Sequence, residues 1–333
     1  MTSPIPPLSI LDLALIGKGQ SVGEALRNSV RMAQQAEARG YRRVWYAEHH
    51  NMSSIGSSAT SVLIAHVATQ TSTIRLGSGG VMLPNHSPLT IAEQFGTLAE
   101  LHPGRIDLGL GRAPGTDQIT MRALRRNGQE ADHFPQDVQE LQGYLNDDTR
   151  VSGVNATPGR GTHVPLYILG SSLFGASLAA ALGLPYAFAS HFAPEALEQA
   201  AALYRERFSP SEQCSSPHLI AALNVIAADT DDEAQAQLVA VRRMRAARML
   251  ARGRDLSEPE IDALLASPQG QHFLGMMRYT AVGTPKVVGD YLTSFAEHAG
   301  ADELMVVHAS PGIDARRRSL DLLADAAELA PVG

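Results

Sequence analysis

The sequence predicts an α/β fold, a closed TIM-type (β/α)8 barrel with insertions after strands 4 and 7, and three observations lead there. Short β-branched or apolar runs alternate with segments of helical period along almost the whole chain, the pattern of a parallel sheet wound with helices. The strand-like runs number eight, and eight βα units fit a closed barrel better than a doubly wound sheet. The length of 333 residues exceeds a minimal barrel of about 250, so a single domain spanning 1–333 has chain to spare for insertions.

The first strand is LSILDLAL (8–15), followed by a helix whose apolar stripe reads Val22, Leu26, Val30 and Ala33. RRVWYAE (42–48) follows, then a helix with Ala59, Val62, Leu63 and His66 in phase. IRLGSGGVML (74–83) precedes a helix carrying Ile91, Phe95 and Leu98, and RIDLGLG (105–111) is the fourth strand. A first excursion, about 113–163, holds a helix near 132–145 and the turn-rich DDTRVSGVNATPGRG. PLYILG (165–170), PYAFAS (185–190), LIAALNVIAA (219–228) and ELMVVHA (303–309) complete the eight. A second excursion, about 252–283, separates the last two. Gly40, Gly183 and Gly300 each end a helix shortly before a strand, as αβ loops require. Both excursions follow strands at the end where a barrel keeps its active site, so they are expected to be lids or pocket walls, or else ordinary surface loops.

With 44% hydrophobic and 18% charged residues, the chain can bury a large core, which excludes disorder, collagen and coiled coil. Its 27 Lys+Arg against 34 Asp+Glu give a net charge of -7, which repels a phosphate backbone and argues against nucleic acid. The crowded arginines 242, 243, 245, 248, 252 and 254 follow Asp231, Asp232 and Glu233 on what reads as one long helix. Acids at its start and bases toward its end predict a solvated, dipole-matched helix. The single cysteine, Cys214, permits no intrachain disulfide and no cysteine-based metal cluster. MTSPIPPLSI has neither a basic nor an apolar leader region, and no run approaches the roughly 18 apolar residues of a membrane span. The expectation is a cytoplasmic protein with no membrane partner.

In such a barrel the C-terminal strand ends converge on one pocket. Strand two ends in Ala47-Glu48-His49-His50-Asn51, strand three in Gly79-Gly80 and on to Pro84-Asn85-His86, and strand four in Gly111-Arg112-Ala113-Pro114. Strand five ends in Gly170-Ser171-Ser172 and strand six in Ser190-His191. A Gly-Ser-Ser turn opening a helix offers backbone N-H groups, two hydroxyls and the positive helix end, and Arg112 adds a fork-shaped cation one strand away. Together they suit a phosphate-bearing cofactor, although an ordinary N-cap needs only one of those serines. Gly79 and Gly80 let a flat ring approach the backbone, or mark a simple bulge. Glu48 with two histidines could bind a metal, but adjacent histidines on a strand point to opposite faces and no His-X-His or distant carboxylate pattern completes a site, so no metal is assigned.

GYRRVWYAEHHNM, IRLGSGGVMLPNHSPLTIAEQFGTLAELHPGRIDLGLGRAPG, LGSS and AVGTPKVV, in this order, resemble stretches of the bacterial luciferase-like flavin monooxygenases. The likeness covers nearly the whole chain and is best for single-chain oxidoreductases close to the luciferase alpha subunit. It implies a TIM barrel that binds FMN at its C-terminal face. Gly79 and Gly80 match a pair joined by a non-proline cis peptide behind the isoalloxazine ring. Arg112, Gly170, Ser171 and Phe174 match positions around the FMN phosphate. His49 matches the catalytic histidine and Glu48 the carboxylate beside it. The implied reaction uses reduced FMN, supplied by a separate NAD(P)H:flavin reductase, and O2, through a C4a-peroxyflavin, on a small organic substrate. A homodimer is also implied. Two departures from light-emitting luciferase, Gly111 in place of a cysteine and Gly170 in place of an acid, argue against light emission and long-chain aldehydes. No GxGxxG follows a strand, so NAD(P)H has no dedicated domain here. The rival expectations are an F420-dependent oxidoreductase on the same barrel, a flavin-binding protein without catalysis, and a metal hydrolase.

Overall fold

In the computed structural model, which describes residues 5–331 apart from 114, 128, 252 and 253, the strand-like runs become a ring of parallel strands. The elements run β1 (Leu8–Asp12), α1 (Val22–Ala38), β2 (Arg43–Tyr46), α2 (Thr60–Ala68), β3 (Arg75–Met82), α3 (Pro88–Leu101) and β4 (Ile106–Gly111). Then come α4 (Gln118–Ala123), α5 (Phe134–Leu145), β5 (Leu166–Gly170), α6 (Leu173–Leu182), β6 (Tyr186–Phe188), α7 (Leu197–Glu206) and β7 (Leu219–Ala227). The chain finishes with α8 (Asp231–Met249), α9 (Glu258–Ala266), α10 (Pro268–Met276), β8 (Thr280–Gly283), α11 (Pro285–Ala299), β9 (Glu303–His308) and α12 (Ile313–Ala326).

The ring closes in the order β1 to β7, then β9, then β1 again, eight strands as the sequence predicts. A ninth strand, β8, pairs with the outer end of β7 through Asn224–Ala227 and lies outside the ring. It falls inside the expected second excursion, where the sequence pattern places no strand. Among the described residues no helix is long and apolar enough to cross a membrane.

Alternation sorts the strands into two packed faces. Outward residues such as Val44, Leu76, Leu108 and Val306 form the layer beneath the helices. Inward residues, among them Leu11, Trp45, Tyr167, Ile220, Ala222 and Met305, fill the barrel. At the N-terminal end the barrel is plugged by ions. Arg43, 1% exposed, donates to Asp107 at 2.7 Å and to the Tyr167 hydroxyl at 2.7 Å, and its Nε lies 2.9 Å from Glu303. A buried guanidinium is tolerable only with such partners.

Helix phase departs from expectation in two places. In α1 the buried side is Ala25, Ser29, Met32, Ala33 and Ala36, while Val22 is 52% exposed. In α2 the buried side is Leu63, Ile64, Val67 and Ala68, leaving Val62 68% exposed and His66 at the surface. In α1 the contact face is mostly small residues, which let that helix lie close to the strands, whereas α2 buries the larger Leu63, Ile64 and Val67. Gly183 and Gly300 cap α6 and α11 in the left-handed conformation, and Gly40 follows the C-cap of α1 at φ 81°.

The helix expected near 132–145 is α5, and it belongs to the repeat, burying Phe134, Val138, Leu141 and Tyr144 beside α3. Residues after β7 form a larger addition than the sequence suggests: α8 packs with α9, α10 and β8, and Leu238, Val241, Ile261, Phe273 and Met277 build a satellite core on Ile226. The arginine-rich helix is therefore only partly solvated. Arg243 pairs across to Asp262 at 2.6 Å and Glu258 at 2.5 Å, while Arg245 turns inward to Asn224. Arg252 lies outside the described residues.

Candidate active site

A cavity of about 470 Å³ opens at the C-terminal strand ends, within the range of sites for small cofactors and substrates. Its walls include Leu11, Trp45, Ile220, Ala222 and Met305 from the inner face, so most of the lining is apolar. Of the residues singled out from the sequence, His49, Gly79, Gly80, Arg112, Gly170, Ser171, Ser172 and Phe174 all line it. Glu48 does not. Ala113 and Ala131 of the first excursion also reach the cavity, whereas Pro114 lies outside the described residues.

One edge of the mouth is built for an anion. β5 ends at Gly170, and α6 begins with Ser172 as N-cap in extended conformation without a side-chain cap bond, so the first N-H groups of the helix are not claimed by a capping side chain. One strand away, the Arg112 guanidinium sits 4.2 Å from the centre of the Phe174 ring. It donates through Nε to the Ala131 carbonyl at 3.0 Å and lies 3.6 Å from an exposed Asp132 carboxylate. Stacking on the ring fixes the direction of the fork while its charge stays available.

Gly79 and Gly80 are joined by a cis peptide, and the β3–β4 register shifts between Ser78 and Val81. Close approach does require glycine here, to an inward side chain at Gly79 and to the backbone of β4 at Gly80. A Cβ on Gly79 would come within 2.7 Å of Leu11 Cδ1, and one on Gly80 within 2.8 Å of the Gly109 carbonyl oxygen.

His49 and Glu48 divide their tasks by strand alternation. His49 faces the cavity with Nδ1 buried, which leaves Nε2 as the ring nitrogen on the cavity side. Burial pulls its pKa below the ordinary imidazole value, against the opposing charge of Glu48, so the ring is neutral near pH 7. Glu48 turns to the other face with His50. Its Oε1 accepts from His50 Nε2 at 2.7 Å and from His86 Nε2 at 2.8 Å, and its Oε2 accepts from the Met82 N-H at 3.2 Å. Burial opposes ionisation of Glu48, but these donors hold it below the usual carboxylate value. The His50 pKa is raised in turn, chiefly by its hydrogen bond to Glu48.

His86, 38 residues away in sequence, is the completing residue that no local spacing indicates. Glu48, His50 and His86 present ligand atoms within 4.8 Å of one another, a spacing that could hold a metal ion. The two imidazoles already satisfy the carboxylate with their own N-H groups, so the trio is complete as a hydrogen-bonded brace.

His191 is a site residue that the sequence marks only as a strand end. It lines the cavity, its Nδ1 is buried without a partner, and burial, aided by Arg245 and His49, drives its pKa down to about 3. The ring stands edge-on to Phe192 at 4.9 Å. The cavity thus holds two neutral imidazoles in a mostly apolar space and one cationic, helix-backed edge. Such a site can seat a phosphate-bearing planar group, keep water away from it and move a proton beside it.

A family model described as luciferase-like monooxygenase matches residues 7–303. A luciferase-like monooxygenase of Escherichia coli (strain K12) is 46% identical over 98% of this chain and 99% of its own length. The N-acetyl-S-alkylcysteine monooxygenase of Bacillus subtilis (strain 168) is 33% identical over 96% of this chain and 97% of its own. Among solved structures, that of apo-MsnO8 superposes with a TM-score of 0.88 at 36% identity, covering 98% of this chain and 100% of that one.

Proposed function

Because the chain belongs to the luciferase-like monooxygenase family, we propose that it is an FMN-dependent monooxygenase, taking reduced FMN from a separate NAD(P)H:flavin reductase and using O2 to oxidise a small organic substrate. The observation that carries the reading is the pairing of Arg112 with the N-terminus of α6, which no side chain caps, at the edge of an apolar cavity. Bound there, reduced FMN supplies the electrons that activate O2.

The residues of this chain do the rest. Arg112, Ser171 and the first N-H groups of α6 hold the phosphate, with Phe174 keeping the guanidinium in place. Gly79 and Gly80, with Leu11 and Trp45 beside them, would form the wall that faces the planar ring. The apolar walls exclude water. His49, neutral because it is buried, takes or returns a proton at Nε2. Glu48 touches no reacting group. It is a positioning residue, fixing the strand end that carries His49 by holding His50, His86 and Met82. We place the enzyme in a reducing cytoplasm, which its single cysteine fits, and as a homodimer, on the family resemblance and the prevalence of twofold oligomers.

The test is a titration of the purified protein with FMN, reduced FMN, riboflavin and F420, followed by single turnover of the reduced-FMN complex with O2. Saturable binding of reduced FMN, weaker binding of riboflavin and oxygen consumption are expected. Preference for F420 transfers the protein to deazaflavin chemistry, and binding without oxygen consumption makes it a flavin carrier.

A further inference from the structure

The arginines of α8 fall on two faces. Arg243 faces α9 and is neutralised by Asp262 and Glu258. Arg245 points the other way, and one of its terminal nitrogens donates to Asn224 Oδ1 at 3.1 Å. The Asn224 amide in turn donates to the carbonyl of His191, a cavity-lining residue, at 2.7 Å. Asn224 is the next inward residue of β7 after Ile220 and Ala222, both of which line the cavity. The Arg245 guanidinium therefore stands next to the cavity wall, two hydrogen bonds from the lining residue His191, without lining the cavity itself. One turn further along α8, Arg248 donates to the Ile16 carbonyl at 3.2 Å, in the loop after β1 whose Leu13 also lines the cavity.

Neither arginine has a carboxylate partner among the described residues. A guanidinium offers five donors, and each of these makes one hydrogen bond to the protein. Burial, with Arg248 adding to it, pulls the Arg245 pKa down to about 10. Burial acts on Arg248 in the same sense. Arg245 is largely buried with the exposed Arg248 beside it, and a buried cation without a counter-charge is an expensive arrangement unless something brings one. The phosphate edge is not that place: β4 and β5 stand across the ring from β9 and β1, and this pair spans from β7 to the loop after β1.

We propose that Arg245 and Arg248 form a second anion site, which receives a carboxylate of the substrate and holds the rest of that molecule over the cavity. Its placement relative to the flavin rests on the reading of Arg112 and α6 as the phosphate site. The substrate class is then a small organic acid with an apolar, oxidisable portion, sized for an apolar chamber flanked by His49 and His191.

The probes are benzoate and its neutral isostere benzamide, titrated by calorimetry into the FMN-loaded protein. Benzoate is expected to bind about tenfold or more tightly than benzamide, the scale of a charge-assisted hydrogen bond. Arg245→Gln and, separately, Arg248→Gln should remove that preference, and Arg245→Lys, which keeps the charge, should restore part of it. Equal affinity of both probes for the unaltered protein, or a preference that survives both substitutions, overturns the proposal. So does a preference that vanishes in Arg112→Gln alone, because the anion then occupies the phosphate edge. Failure of the flavin reading is visible separately as absence of FMN binding, and the same titrations on the protein without flavin then decide the arginine pair.

Discussion

Glu48 and His49 are consecutive, yet only His49 reaches the cavity: the Glu48 carboxylate lies on the opposite face, 2.7 Å from His50 Nε2 and 2.8 Å from His86 Nε2. Its charge still acts on His49 through space. Burial is the larger influence and lowers the His49 pKa, while Glu48 partly restores it. If neutral His49 is the working form, kcat/KM holds as pH falls until His49 is protonated, below the ordinary imidazole value of about 6.5. Glu48→Gln removes the restoring charge, so that acid limb should move to lower pH still. His49→Asn should abolish the limb and lower kcat/KM by about 10² to 10⁴. A limb that moves upward in Glu48→Gln, or persists in His49→Asn, assigns the proton transfer to another group.

Arg112 over Phe174 gives a prediction about which part of the cofactor is recognised. Arg112→Ala removes a charge-assisted contact to phosphate and should raise the Kd for FMN by about 10- to 100-fold. Riboflavin has no phosphate, so its Kd should change little. Phe174→Leu keeps the cation and loses the ring that orients it, and a smaller FMN defect is expected. Equal losses for FMN and riboflavin in Arg112→Ala would mean that Arg112 shapes the pocket without reading the phosphate.

The barrel is legible in the sequence because its eight strands recur in alternation with helical segments, whereas β8 pairs with β7 outside the ring and lies within the excursion that breaks the repeat. Most of the site follows from the barrel, since strand ends converge: eight of the nine residues singled out line one cavity. The division between Glu48 and His49 is readable from alternation, once strand two is taken to continue extended to residue 50. His86 stands at the end of strand three in the sequence, but its pairing with Glu48 is not readable, because 38 residues and a helix separate the two. Arg245 and Arg248 hide inside a run of arginines whose composition suggests a solvated face. Their spacing from Arg242, at i+3 and i+6, puts them on a different side of the helix from Arg243, and only the packing of α8 over β7 gives that side a meaning.

Gly79 and Gly80 should respond differently to alanine. At Gly79 the intruding methyl meets the end of the Leu11 side chain at 2.7 Å, which can turn aside. At Gly80 it meets the Gly109 carbonyl at 2.8 Å and the Leu110 nitrogen at 3.1 Å, and backbone cannot yield without spreading β3 from β4. Gly80→Ala should therefore lower stability by about 2 kcal/mol or more and Gly79→Ala by less, in the ordinary range for overpacking. Urea midpoints of the two variants check the order. Equal midpoints would place the constraint on the shared wall and not on the strand pair.

Acid sensitivity should trace to the floor of the barrel, far from the mouth. Burial alone would keep the Glu303 carboxyl protonated, but His218, Arg43, Ser9 and Arg42 overcome it and hold its pKa at about 2. A depressed carboxylate contributes stability that is fully present above its unfolded value, about 4.3, and is lost as pH falls through the folded value near 2. The urea midpoint should therefore decline across that interval. Glu303→Gln removes the titrating group and leaves Arg43 with Asp107 as its one remaining carboxylate, so it should cost about 3 to 5 kcal/mol at pH 7. It should also flatten the decline between about pH 4.3 and 2, because the variant has less left to lose. If the variant keeps the full acid slope, the sensitivity belongs to other carboxylates, and Glu48, held low by His50 and His86 at the mouth, is the next to replace.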